Sequence, residues 1–183
     1  MSGPNLLFIF PDQLRQQAVG FMNGDPVLTP HLDCFARESL VLTHAVSNYP
    51  VCTPYRAMLM TGKYPYQNGL ISNCNSSQPD LYLRQSERCL PDVLASVGYH
   101  CGYIGKWHLD TPGPDDFKYG EGPRGDGKIW DAYTPPGPRR HSFAFWHSYG
   151  CCDNHFRPHY WEGDARIDQR QVEHARHETG ADA

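Results

Sequence analysis

Long apolar runs are missing from this sequence. The run at residues 6–10, Leu-Leu-Phe-Ile-Phe, stops at Pro11, and no stretch approaches the length needed to cross a bilayer. A basic n-region is missing too, so residues 1–13 do not read as a signal peptide. The cytoplasm is therefore the default expectation, or the periplasm or exterior if the N-terminus has been trimmed. Excess positive charge is absent: the net charge is -4 with histidine neutral. This excludes a global basic field for nucleic acid but leaves room for a local cationic pocket for a small anion. Neither a membrane nor a nucleic acid is expected as partner. No internal repeat is found. The seven cysteines are an odd number, which argues against a complete disulfide framework, and no paired C-x-x-C occurs. Cys34, Cys74, Cys89 and Cys101 read as reduced, semi-buried thiols.

The chain has 183 residues, 39% of them hydrophobic and 20% charged, enough for one domain with a real core. Residues 6–10 read as a buried strand, with Asp12 and Gln13 at its carboxyl end, where open α/β sheets place ligands. Thr29-Pro30 is an N-cap and N1 pair for a helix through Leu32, Phe35 and Ala36 to about Ser39. Residues 40–45 suggest a strand or an extended approach. Pro54 suits the first turn of a helix carrying Ala57, Met58 and Thr61, which Gly62 stops. Residues 67–85 read as a loop. Leu90, Val93, Leu94 and Val97 have amphipathic helical spacing, with Gly98 suited to C′. Residues 99–104 follow as a strand. This alternation of helix and strand suggests an α/β fold with parallel pairing. Beyond Asp110 the character changes. Residues 111–140 are rich in Pro, Gly and charge, an ordered surface excursion or a loose insert. Residues 141–161 are dense in aromatics and histidine. Residues 163–180 are polar and suggest a terminal helix.

Three places could carry chemistry. Cys52 begins a helix, where unpaired N–H groups and the helix dipole favour an anion, either a thiolate or a bound oxyanion. Arg56 lies one turn on and can share its face. A buried structural cysteine beside a solvent-facing arginine fits the same letters. Asp12 could cap a turn or, with the Gln13 carbonyl, offer oxygen ligands to a hard cation such as Ca²⁺ or Mg²⁺. Lys106 and His108, two apart, would share one face of an extended chain with Trp107 turned into packing. An ammonium and an imidazole there suit an anionic substrate and proton transfer, or are simply a polar strand end.

Taken together the letters resemble a known family. Cys52-Thr53-Pro54-Tyr55-Arg56 with Thr61-Gly62 resembles the sulfatase signature C-x-P-x-R followed by T-G. Gly98-Tyr99 leading to Gly105-Lys106-Trp107-His108 resembles the second sulfatase signature. Asp12, ahead of both, matches the family layout. The resemblance implies an α/β, alkaline-phosphatase-like sandwich with a largely parallel central sheet flanked by helices, truncated here. The core would be residues 5–110 and the loop-rich insert 111–162. It also implies a sulfuric ester hydrolase in which a maturation enzyme converts Cys52 to formylglycine. The hydrated aldehyde, a gem-diol, attacks sulfur to give a covalent sulfo-enzyme intermediate. The substrate would be a small-molecule or saccharide sulfate ester. Asp12, Gln13 and residue 52 would ligate Ca²⁺, with Mg²⁺ or Mn²⁺ as substitutes. Arg56 would hold the formylglycine, Lys106 would bind sulfate, and His108 would be the base.

Two departures from the family pattern stand out. Gln13 replaces a second Asp, as in choline-sulfatase-like members and in the related phosphonate monoester and phosphodiester hydrolases, and Tyr55 replaces a small residue. Family chains are also well over twice this long, so the expectation is an N-terminal portion, with an inactive fragment as one alternative. Asp153-Asn154 has the letters of the family's second metal pair but comes too early and is set aside. Cys151, Cys152, His155, His159, His174 and His177 offer zinc ligands, which Pro158 and the missing C-x-x-C weaken. The aromatic region is instead expected to line the substrate pocket with Trp146 and Tyr149. His147, His155 or His159 would then protonate the leaving group.

Overall fold

The structure is a computed structural model that describes residues 3–119, 123–151 and 157–173. These fall into two compact units, Met1–Ser47 and Asn48–Ala183.

In the first unit, helix α1 spans Pro30–Arg37 with proline at its start, as the sequence predicts. Thr29 does not cap it through its side chain. Its hydroxyl donates to Asp33 Oδ1 at 2.7 Å and accepts the Gly20 N–H at 2.8 Å, tying α1 to the 3-10 turn Gly20–Met22. The strands expected at residues 6–10 and 40–45 are not formed. A strand needs a neighbour for its N–H and C=O groups, and no strand lies among the described residues of this unit. The apolar side chains stay outside as a result: Leu7 is 86% and Phe35 70% exposed.

The second unit carries the core. Helix α2 spans Cys52–Thr61 and ends at Gly62, whose φ of 67° is the left-handed geometry a helix stop uses. The loop expected next contains one short helix, α3, at Pro65–Asn68. Helix α4 spans Leu90–Ser96 and strand β1 Cys101–Lys106, both close to expectation. The apolar stripe of α4 is less buried than its spacing implies, since Leu90 and Val93 are exposed.

The aromatic segment folds differently from expectation. Phe143–Tyr149 is strand β2, parallel to β1 from Cys101↔Phe143 to Lys106↔Tyr149. Its aromatic residues favour a pleated, half-buried surface. Trp146 belongs to the core rather than to a pocket wall. It stacks on Tyr103 at 5.4 Å, and Trp107 meets both rings edge-on at 5.1 and 5.2 Å. Ala57, Met60, Leu70, Leu83 and Leu109 complete this core. Strand β3 (His159–Glu162) adds antiparallel to β2, and β4 (Gln171–Val172) antiparallel to β3. The sheet is therefore mixed, with one parallel pair among its described strands.

The described residues of the segment after Asp110 are partly buried. Ile129 is enclosed and exchanges hydrogen bonds with Ser76. Asp116, in the short helix α5 (Asp116–Tyr119), accepts the N–H groups of Gly113 and Tyr133, each at 2.7 Å. The expected terminal helix is not seen within residues 163–173, which hold a 3-10 turn at Ile167–Gln169 and β4. Residues 174–180 of that expected helix lie outside the described residues.

Trp107 is 1% exposed and belongs to the same buried cluster as Ala57 and Met60 of α2 and Tyr103 and Trp146 of the sheet. Trp107→Ala is expected to lower the unfolding free energy by about 3–5 kcal/mol, read from urea denaturation. A loss below about 1 kcal/mol would place the core elsewhere.

Candidate active site

The site is built on the first turn of α2. The chain arrives extended at Val51 and turns helical at Cys52. That first turn presents N–H groups with no intrahelical acceptor. Asn73 Oδ1 accepts one of them, from Thr53, at 2.9 Å. The Thr53 side chain is fully buried and works twice. Its hydroxyl donates to the His108 carbonyl at 2.7 Å and accepts the Cys74 N–H at 3.1 Å. One residue thus joins the helix start, the loop after α3 and the exit of β1.

On this frame Lys106 Nζ lies 3.5 Å from Cys52 Sγ. Arg56 is buried below them. Its Nη1 donates to the Lys106 carbonyl and, at 3.3 Å, to the Tyr103 hydroxyl, which donates to that same carbonyl. Burial pushes the Tyr103 phenol up to about 12, so it stays a donor. The helix N-terminus and an ammonium therefore converge on residue 52, favouring an anion there.

His108 departs from the extended geometry the spacing implies. Its φ of 52° is left-handed, unusual for a residue with a side chain, and its ring is 2% exposed. Nε2 lies 3.0 Å from the Cys74 carbonyl. A carbonyl only accepts, so Nε2 carries the proton and Nδ1 keeps its lone pair. Nδ1 has no hydrogen-bond partner among the described residues. Burial, then Lys106, lowers the His108 pKa to about 4. At neutral pH the ring is an uncharged base.

Asp12 and Gln13 lie in the first unit, in an exposed turn where Gln13 takes a φ of 53°. Of the candidate leaving-group histidines, His147 stacks on Tyr160 at 4.0 Å. His159 is buried, with Nε2 2.6 Å from Asp131 Oδ2, while Asp131 Oδ1 accepts the Cys151 N–H at 2.7 Å. His155, Asp153-Asn154 and most of the zinc letters (Cys152, His174 and His177) lie outside the described residues. Burial pushes the Cys151 thiol up to about 11, so it does not compete as an anion near Lys106. Sequence reasoning missed Thr53, Asn73, Tyr103 and Asp131. Thr53 is a variable letter in its motif, and Asn73 and Asp131 sit in loops without any motif.

Two expectations follow. Thr53→Val leaves a buried carbonyl and a buried N–H without their partner and should cost about 2–4 kcal/mol in urea unfolding, with Thr53→Ser restoring most of it. Acid should also act through His108. The unfolded chain binds a proton near 6.5 and the native ring only near 4, so native stability is lost as pH falls across that window, by up to about 3 kcal/mol. Asp116 opposes this, because burial raises its carboxyl to about 6 and the native state gains its proton first. His108→Gln should therefore make urea midpoints less sensitive to acid between pH 7 and 4.5. An unchanged slope would remove His108 as the titrating group.

The sulfatase family model matches residues 4–156. An endo-4-O-sulfatase of Bacteroides thetaiotaomicron is 45% identical over 192 residues, covering 97% of this chain and 37% of that protein. An ulvan-active sulfatase of Formosa agariphila is 38% identical over 161 residues, covering 88% and 27%. A crystal structure of a Bacteroides fragilis protein described as a sulfatase superposes with a TM-score of 0.85 at 43% identity, covering 93% of this chain and 37% of that one. The chain thus spans between about a quarter and a little over a third of the length of these relatives. Its architecture is the alkaline-phosphatase-like α/β fold they share, truncated relative to them, and the chain belongs to the sulfatase family.

Proposed function

We propose that the protein hydrolyses sulfate monoesters carried on a saccharide, using residue 52 as the nucleophile after its conversion to formylglycine. The observation that carries this reading is the meeting of Lys106 Nζ with Cys52 Sγ at 3.5 Å on the N-terminus of α2. The cysteine stands inside C-x-P-x-R, on a half-buried first turn that can hold an aldehyde in the same place. The names of the endo-4-O-sulfatase and ulvan-active relatives support a sulfated glycan as the substrate class.

Formylglycine would supply a hydrated carbonyl, a stronger nucleophile than an ordinary hydroxyl and one with its own route of release. The chain's residues do the rest. Lys106 and the helix N-terminus bind and orient the sulfate oxygens. Arg56, held by Tyr103, fixes the Lys106 backbone and adds positive potential. His108 Nδ1, with its lone pair free of the ring's other hydrogen bond, takes the proton that leaves residue 52. The donor chemistry of Asp12 and Gln13, one carboxylate and one carboxamide oxygen in an exposed turn, fits a hard cation such as Ca²⁺. A cation bound there would supply Lewis-acid chemistry.

Gln13 favours one second reading, a phosphonate monoester or phosphodiester hydrolase using the same residues, since a carboxamide leaves the cation site less negative. Competition between a glycan sulfate and a phosphonate ester separates the two. The direct test is mass spectrometry of tryptic peptide 38–56 from cells holding the maturation enzyme. The aldehyde mass at residue 52 is expected, and a thiol in every sample would sink the mechanism. Lys106→Ala should lower kcat by about 10²–10³-fold while peptide 38–56 still shows the aldehyde.

A further inference from the structure

Outside this site, one side-chain cluster among the described residues has metal-binding chemistry. Cys89, Asp92 and His141 place a thiol, a carboxylate oxygen and an imidazole nitrogen within 4.8 Å of one another. Cys89 and Asp92 stand one turn apart at the start of α4, and His141 comes from the turn before β2. The thiol and the imidazole are buried, while the Asp92 side chain is 25% exposed and opens the cluster to solvent.

The protein alone satisfies this imidazole poorly. Its Nδ1 is 3.3 Å from Asp92 Oδ2, long for a charge-assisted bond, and its Nε2 has no hydrogen-bond partner among the described residues. Asp92 is already oriented. It accepts the Cys89 N–H at 2.8 Å and the Ser142 hydroxyl at 2.7 Å, the outer-shell support a ligating carboxylate ordinarily has. Each carboxylate oxygen can accept more than one bond, so these contacts leave room for a cation. Tetrahedral zinc with one sulfur and two lighter ligands needs donor separations of about 3.3–3.7 Å. The His141 Nδ1–Asp92 Oδ2 pair already stands at 3.3 Å, and the trio's donor atoms all lie within 4.8 Å.

We propose that Cys89, Asp92 and His141 bind a zinc-class divalent cation, with water entering beside Asp92 as fourth ligand. The thiolate makes the site select a borderline-soft metal rather than calcium, which separates it from Asp12 and Gln13. The Cys89 proton leaves to solvent on binding. The metal would pin the start of α4 to the turn before β2, so its role is structural and does not depend on the proposed reaction.

Cobalt(II) titration in excess calcium, on chelator-treated protein carrying Cys52→Ser, tests this. One equivalent should give thiolate-to-cobalt charge-transfer absorption together with the strong d–d bands of a tetrahedral site. Adding Cys89→Ser should abolish the charge-transfer band, while a hydroxyl still caps α4 and unfolding stays cooperative. His141→Ala should weaken cobalt binding by a factor of about 100 or more, and it decides the matter if the serine variant fails to fold. Zinc at a hundredfold excess over its Kd should raise the melting temperature by about 5–10 °C in the parent, and not in Cys89→Ser. No charge-transfer band in the parent, or a band that survives Cys89→Ser and keeps its affinity in His141→Ala, overturns the proposal and leaves the trio as a hydrogen-bonded clamp.

Discussion

The second unit depends on burying the first turn of a helix. The N–H groups of that turn must find acceptors wherever they are placed, and water supplies them at the surface. Here the turn is covered, and protein groups replace the water. Asn73 takes the Thr53 N–H, and the Thr53 hydroxyl spends its donor on the His108 carbonyl and an acceptor site on the Cys74 N–H. A buried polar group left alone costs about 1–3 kcal/mol, so these contacts are obligatory once the turn is inside. The loop after α3 and the exit of β1 are fixed by the same atoms that fix Cys52. The position of Cys52 is in this sense a by-product of hydrogen-bond satisfaction.

The left-handed backbone at His108 follows from that demand. An extended residue there would point its ring to the same side as Lys106, as strand alternation requires. Instead the chain turns at a φ of 52°, and Nε2 reaches the Cys74 carbonyl while the His108 carbonyl stays on Thr53. A non-glycine residue in this region costs on the order of 1–2 kcal/mol, which two buried hydrogen bonds can offset. Fixing the Nε2 proton also fixes which nitrogen is the base. The tautomer is therefore set by a backbone carbonyl rather than by a carboxylate.

What was legible in the sequence followed a simple physical division. Elements announced by local chemistry came out close to expectation: α1 by Thr29-Pro30, α2 by Pro54 and Gly62, and α4 by its spacing and Gly98, with β1 following it. The letters C-x-P-x-R and G-K-W-H marked residues that do come together in space. Elements that depend on a distant partner were misread. Residues 6–10 have strand letters and no strand, because pairing is a property of neighbours and not of the segment. Phe143–Tyr149, where Trp146 and Tyr149 were expected to line a pocket, is a strand because β1 gives it a parallel partner. The supporting shell was illegible for the same reason. Thr53, Asn73 and Asp131 matter only through groups many residues away.

Burial, then Lys106 and Arg56, lower the proton affinity of His108, and the Cys74 carbonyl and Asp131 oppose them more weakly. The helix N-terminus adds a fixed positive potential at residue 52. In the free protein this keeps the imidazole neutral but makes it a weak base. An anion placed against Lys106 changes that balance. It offsets the two cations at short range, where low dielectric makes the effect large, and raises the proton affinity of Nδ1 toward its ordinary value. In the proposed reaction the base would strengthen as the sulfate group arrives, at the stage where a proton must leave residue 52, and a neutral ester would leave His108 as it is. On that proposal, selection for an anionic substrate would be carried by proton transfer as well as by binding, both through the ammonium 3.5 Å from Cys52 Sγ.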